Sequence, residues 1–232
     1  MKTSKIILIS FFSFIGLLLL SFFIVGITFN DAARRERNAI FIANKKREKT
    51  IKIENHFKHI FIKNKSFILI KHGEEQLLEH YTNENSLNKP IFEVKNDTLF
   101  LGFQSNIRTK LTLKDVNNLK SISGVNASVT LSGLEMPTLN LYFNGGKVDL
   151  TDNTKVKNIN VTLSEKSRLN IHNNVVVDTL NLDINNSKIN FWNTKRKIPY
   201  LKGTINNKSD VRVPKVLHIN LDIDESSKLR MW

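Results

Sequence analysis

Residues 139–150 read LNLYFNGGKVDL. Leu139, Leu141 and Phe143 alternate with polar residues, a turn of Asn144-Gly145-Gly146-Lys147 follows, and Val148 and Leu150 resume the alternation. The phrase returns with Ile159, Val161 and Leu163, the turn SEKSR, then Leu169 and Ile171. It returns again with Leu180, Leu182 and Ile184, the turn NNSK, then Ile189 and Phe191. Leu201, Gly203 and Ile205 with NNKSD, Val211 and Val213 make a fourth copy. Ile219, Leu221 and Ile223 with DESSK, Leu229 and Met231 make a fifth. A looser copy runs from Leu119 through Ile122 to Val129 and Leu131, and the start-to-start spacings are 20, 20, 21, 21 and 18 residues.

A near-constant period of about 20 residues is the mark of a solenoid. Alternate side chains of a strand share one face, so each copy offers five inward apolar residues that one coil cannot bury alone. Stacking coils about 4.8 Å apart pairs their strands in parallel and lines equivalent positions into columns. A leucine-rich repeat has a similar period but needs its own asparagine position and a helical segment, and neither occurs here. A hairpin meander would also alternate, but a two-strand phrase of nearly constant length fits coils better. The expected fold is therefore all-β, a right-handed parallel β-helix. Leu141, Val161, Leu182, Gly203 and Leu221 should form one inward column. Leu182→Asp should then be severe and the outward Asn181→Asp mild.

Upstream, residues 51–118 hold further alternating runs, HIFIK, SFILIK, IFEV, TLFLGF and KLTL, rich in Ile and Phe as half-buried strands require. Asn96-Asp97 reads as a tight turn between two of them. The stretch GEEQLLEHY is the one that could be helical, although it is too short to be stable without packing. This region is long enough to cap the N-terminal end of a solenoid. At the other end Leu229, Met231 and Trp232 lie in the last phrase, so either a fold-back, with Trp232 as a partial lid, or a partner must cover that coil. Weak homo-oligomerisation through the C-terminal coil is one expectation.

The chain begins differently. Residues 6–30, IILISFFSFIGLLLLSFFIVGITFN, carry no charge over 25 positions, and about 20 helical residues cross a bilayer core. A cleaved signal peptide has an apolar region of about 7–15 residues and a small-residue cleavage site. This run is longer, and Val25-Gly26-Ile27 is a poor site. It therefore reads as a retained transmembrane helix, giving an anchor over 1–30, a basic juxtamembrane linker over 31–50 and a solenoid domain over 51–232, regular from 119 onward. Of the net charge of +14, residues 31–50 hold +4, through Arg34, Arg35, Arg37, Lys45, Lys46, Arg47 and Lys49. Basic residues beside a span meet anionic lipid head groups. Elsewhere the excess is spread at one or two lysines per repeat without the aromatic interleaving of a single-strand binding groove, so no nucleic-acid partner is expected. The positive-inside rule puts the domain in the cytoplasm, whereas a bacterial signal anchor with lysines at its start, here Lys2 and Lys5, exports it.

Three stretches, FKHIFIKNKSFILIKHGEEQLL (57–78), EVKNDTLFL (93–101) and LKSISGVNASVTLSGL (119–134), resemble the GIN domain of auto-transporter adhesin heads, a family common in Bacteroidetes. The likeness covers the chain from Phe57 to its C-terminus and departs at Asn96-Asp97, where the family often has Asn-Gly. It implies an extracytoplasmic β-helix, periplasmic or at the cell surface, with an adhesin-like role and no established catalytic residues.

The residues themselves offer little chemistry. His56 and His59 carry no third ligand nearby, so neither metal nor cofactor is expected. The outward positions form two columns, Asn140, Asn160, Asn181, Lys202 and Asn220 in one and Tyr142, Thr162, Asp183, Thr204 and Asp222 in the other. A glycosidase-like site would need carboxylates about 5–9 Å apart. Asp183 and Asp222 stand two coils apart, with Thr204 between them and no His or Arg beside them. A non-enzymatic binding or scaffold module facing envelope polysaccharide or protein is the leading expectation, ahead of a polysaccharide-acting enzyme or a structural or sensory envelope protein.

Overall fold

The computed structural model describes residues 48–63, 67–81, 91–102, 108–192 and 197–232. The anchor expected over 1–30 and nearly all of the linker lie outside them. Among the described residues no helix is long and apolar enough to cross a membrane.

Five successive coils fill the regular part, and each follows the two-strand phrase. β9 (Glu135–Thr151) makes one coil unbroken. The next four are β10 (Lys155–Ser164) with β11 (Arg168–Ile171), β12 (Val176–Asn185) with β13 (Lys188–Phe191), β14 (Ile198–Asn206) with β15 (Asp210–Val213), and β16 (Val216–Ile223) with β17 (Lys228–Met231). All pair in parallel with their counterparts above and below. Leu141, Val161, Leu182, Gly203 and Leu221 align in one column as the alternation requires. The inward rows are buried from Met136 to Val213, giving one continuous apolar core.

Two corners shape each coil. At the first, the ladder skips Lys157 between its neighbours and skips Pro199 opposite Leu217. Pro137 and Pro199 are accommodated there because that column needs no ladder N–H. At the second corner, Glu165, Lys166, Asn186, Asn207 and Lys208 take positive φ between 45° and 63°. Buried serines follow them. The Ser167 hydroxyl donates to the Ser164 carbonyl at 2.5 Å and that of Ser209 to the Asn206 carbonyl at 2.5 Å. A chain that reverses direction inside a core must satisfy its carbonyls locally, and serine is small enough to do so.

β8 (Ser121–Ser132) is the looser first copy, but its offset from β9 is 19 residues. Ile122 therefore sits under Leu141, and Leu119 does not share the Leu139 column. Gly124 lies beneath Phe143, where an added Cβ would stand 2.3 Å from the ring.

Below β8 the order of the stack leaves the order of the chain. β2 (His59–Lys63) and β3 (Phe67–His72) pair with β8, while β6 (Thr98–Gly102) and β7 (Arg108–Leu113) pair with the far sides of β2 and β3. The earlier segment is thus inserted between two later ones. Antiparallel strands complete this end: β5 (Ile91–Lys95) along β6, β4 (Leu77–Tyr81) along β7, and β1 (Glu48–Lys52) along β4. β1 begins inside the stretch read as linker. Asn96 and Asp97, at φ 49° and 57°, form the two-residue turn between β5 and β6. The candidate helix GEEQLLEHY is corrected by β4. Pairing on both edges, with Leu78 and His80 buried, outweighs the weak helical preference of so short a stretch.

At the opposite end the inward row is open. Ile219, Ile223 and Met231 are 44%, 36% and 53% exposed. Trp232 does not lie across this mouth; it lines a concavity on the outer surface with Arg168, Lys188 and Trp192.

Candidate ligand-binding faces

The long strands and the short strands of the coils present different outer surfaces. On the long-strand face both columns expected from the sequence come together. Asn140, Asn160, Asn181, Lys202 and Asn220 are in register, as are Tyr142, Thr162, Asp183, Thr204 and Asp222. The asparagines bond along their column. Asn181 Nδ2 donates to Asn160 Oδ1 at 2.5 Å, Asn160 Nδ2 to Asn140 Oδ1 at 2.6 Å, and Asn140 Nδ2 to the Lys120 carbonyl at 2.7 Å. The ladder stops at Lys202, whose ammonium does not donate to Asn181 Oδ1, and that oxygen is buried without a hydrogen bond. In the neighbouring column Thr204 Oγ1 approaches Asp183 Oδ1 at 3.5 Å and separates it from Asp222. A shallow open concavity of about 540 Å³ lies among Asn181, Asp183, Lys202 and Asp222, with Gly203, at φ +123°, in its lining. The outer corner of this face ends at Asp224. Hydrogen bonds from Ser227, the Asn207 backbone and Ser226 hold its carboxyl below the ordinary carboxylate range.

The short-strand face was not legible as a site in the sequence. Its first outward column is Lys147, Arg168, Lys188, Asp210 and Lys228, and its second is Asp149, Asn170, Asn190, Arg212 and Arg230. A second ladder runs here, from Asn190 Nδ2 to Asn170 Oδ1 at 3.2 Å and from Asn170 Nδ2 to Asp149 Oδ1 at 2.7 Å. Asp149 pairs with Lys147 at 2.8 Å, and Asp210 pairs with Arg212 at 3.2 Å and Arg230 at 3.6 Å. Beside these columns stand His172 and Trp192, stacked at 6.1 Å with 11° between their planes. The signal was present in the second half of each phrase. Applying the same alternation to RLNIH, KINFW, DVRV and KLRMW assembles the cations and rings that a linear reading leaves scattered. Away from both faces, His59 opens β2 with its Nδ1 2.7 Å from Ser121 Oγ.

These features define an all-β solenoid whose outer chemistry is organised in columns. No family model matches the chain, and no curated protein matches it. Solved structures do share its fold. A candidate adhesin of Bacteroides fragilis is 14% identical, with 80% of this chain and 96% of that one covered at a TM-score of 0.55. A candidate adhesin of Parabacteroides distasonis is 13% identical, with 80% and 94% covered at a TM-score of 0.56. At these identities the likeness is one of fold.

Proposed function

We propose that this chain is an adhesin-like binding module of the cell envelope, a member of the GIN type, wound right-handedly and tethered by its N-terminal apolar segment with the solenoid outside the cytoplasm. It binds rather than catalyses, and its ligand is an envelope polysaccharide or a protein laid along the columns. The observation that carries this reading is the register, which stacks Asn140, Asn160, Asn181 and Asn220 at one outward position on four of the five coils, beside a column of hydroxyls and carboxylates. A repeating surface suits a repeating or extended ligand. Shared fold with two candidate adhesins supports it, as does the uncharged run of 25 residues at the start of the chain. The long-strand columns, with Asn140, Asn160, Asn181 and Asn220 beside Tyr142, Thr162, Asp183 and Asp222, offer amides, hydroxyls and carboxylates for hydrogen bonding to hydroxyl-rich polymers. The exposed apolar row of β16 and β17 gives a second copy of the chain an edge on which to pair, the basis of weak self-association.

Two measurements test this. Protease added to spheroplasts should digest the solenoid while the anchor stays in the membrane; full protection, with the protease shown to be active, would place the domain inside. The full chain in detergent micelles, applied to a glycan array with parallel turnover assays, should retain one glycan class without cleaving it. Turnover would move the protein to the polysaccharide-acting enzymes.

A further inference from the structure

The short-strand face has a feature that folding alone does not explain. Lys147, Arg168 and Lys188 occupy equivalent positions on three successive coils, and Arg212 and Arg230 do so on two. Parallel strands place such positions about 4.8 Å apart, where like charges repel. Only two carboxylates, Asp149 and Asp210, stand in these two columns against six cations. Both are already engaged by Lys147, Arg212 and Arg230. Arg168, Lys188 and Lys228 are exposed and have no carboxylate partner among the described residues. An unneutralised stack of this kind destabilises the sheet unless an anion covers it.

The third column of the same face says what kind of anion. His172, Trp192, Pro214 and Trp232 follow one another at the ends of β11, β13, β15 and β17. Trp192 rests one face on His172, yet it is 54% exposed, as is Trp232. Arg168, Lys188, Trp192, Arg212 and Trp232 border a single concavity of about 390 Å³, and the one carboxylate on its wall, Asp210, is held by Arg212 and Arg230. An exposed indole offers an apolar plane with a polar edge, which suits the C–H face of a sugar ring. The guanidinium fork suits a carboxylate bidentately. Cations and rings run in parallel columns along the stacking axis, so the ligand is an extended chain carrying one acidic group per sugar or per few sugars. A coil-to-coil step of about 4.8 Å is close to the length of one hexose in an extended polysaccharide.

We infer that the short-strand face binds an acidic polysaccharide, its carboxylates on Arg168 and Lys188 and its sugar rings on Trp192 and Trp232. This rests on the binding-module reading and narrows it to one face and one ligand class.

The test uses the full chain in detergent micelles with alginate as the polyuronate probe. Dextran serves as a neutral polymer, poly(dT) as an anionic polymer of another class, and phosphatidylglycerol vesicles as an anionic surface. Alginate should bind and dextran should not, and affinity should fall as salt rises. A charge-assisted hydrogen bond is worth at least a decade of affinity. Arg168→Gln with Lys188→Gln should therefore weaken binding about tenfold or more while leaving the melting temperature of the free protein at or above that of the wild type, and Trp192→Ala should weaken binding about tenfold. Alginate binding that survives both variants would overturn the assignment. So would poly(dT) or vesicle binding as tight as alginate binding and indifferent to Trp192→Ala, since that is mere charge attraction. If the glycan array yields a ligand unaffected by these variants, this inference falls and the binding-module reading stands. An array and a partner search that both come back empty tell against that reading itself.

Discussion

The long-strand and short-strand faces are built by one repeat, yet they carry opposite charge. Over the five coils the two outward columns of the long-strand face hold one cation, Lys202, against Asp183 and Asp222. The two charged columns of the short-strand face hold six cations against two carboxylates. Each face also has an asparagine ladder, so the ladder is not what distinguishes them. The contrast teaches that a solenoid's period concentrates composition: one lysine or arginine per repeat, unremarked along the chain, becomes a stripe once the coils stack. Net charge per repeat hides this. Charge per column shows it.

The comparison depends on the inward and outward assignment, and breaking that assignment should have the largest effect. Leu182 is 4% exposed in mid-stack, so Leu182→Asp strands a carboxylate in the core and should cost several kcal/mol. Asn181→Asp, one residue away, removes the donor to Asn160 and sets a carboxylate beside its Oδ1. The ladder therefore raises its expected cost to about 1 kcal/mol, above the near-neutral value expected of a free surface position. Equal losses in melting temperature would mean that the register is wrong.

Gly203 should come next. A Cβ there would lie 1.9 Å from the Leu182 carbonyl oxygen, at a φ of +123°. Gly203→Ala should cost about 2–3 kcal/mol through backbone strain and the shift it forces. It should also reshape the long-strand concavity while leaving alginate binding at the short-strand face untouched. A melting temperature equal to that of the wild type would show that the chain does not bend there.

The two ladders allow a finer test. Asn160 and Asn170 each donate one side-chain hydrogen bond and accept another. Asn170 is 3% exposed, however, whereas Asn160 is half-buried. Asn160→Ala should cost about 1 kcal/mol. Asn170→Ala should cost about 2 kcal/mol, because its partners cannot turn to water. Denaturant melts of the two variants would show the order, and a reversed order would mean that burial does not separate the faces.

The smallest effect is one of pH. Asp224 has its carboxyl lowered by the Ser227 and Asn207 hydrogen bonds, and Asp97 is lowered likewise by Lys58. A carboxyl depressed in the folded state stabilises it fully above the unfolded value of about 3.9. That contribution is lost as pH falls through the lower folded value. Melting temperature should therefore hold from neutrality down to about 3.9 and fall as pH drops from there through the lower folded value, and Asp224→Asn should flatten part of the fall. An acid limb identical in the variant would show that these turn hydrogen bonds contribute nothing.

The regular coils were legible because their core positions are nearly all Leu, Ile, Val or Phe and alternate with polar residues. Gly203 stood out as the one gap in its column, and Asn96-Asp97 announced its turn. Alternation identifies a strand, but it does not name the strand's partner. It could not show that β2 and β3 insert between β8 and the later β6 and β7, because that order depends on which edges meet. β4 looked helical because Leu77, Leu78 and their acidic neighbours favour helix locally, and two flanking strands override them. The long-strand columns were read from the first half of each phrase. The short-strand columns were missed because their turns vary in length, moving Arg168, Lys188, Asp210 and Lys228 by 20, 22 and 18 residues in turn.

Location against net charge is the decisive contrast. Arg168→Gln with Lys188→Gln removes two positive charges from the short-strand face, and Lys157→Gln with Lys215→Gln removes two exposed charges from elsewhere on the stack. Alginate affinity, measured for both variants at one salt concentration, should fall about tenfold or more in the first and stay within about twofold of the wild type in the second, as expected for charges that touch no ligand and are screened by salt. Equal losses in the two would contradict the account, since binding would then follow total charge and not the column that the fold assembles.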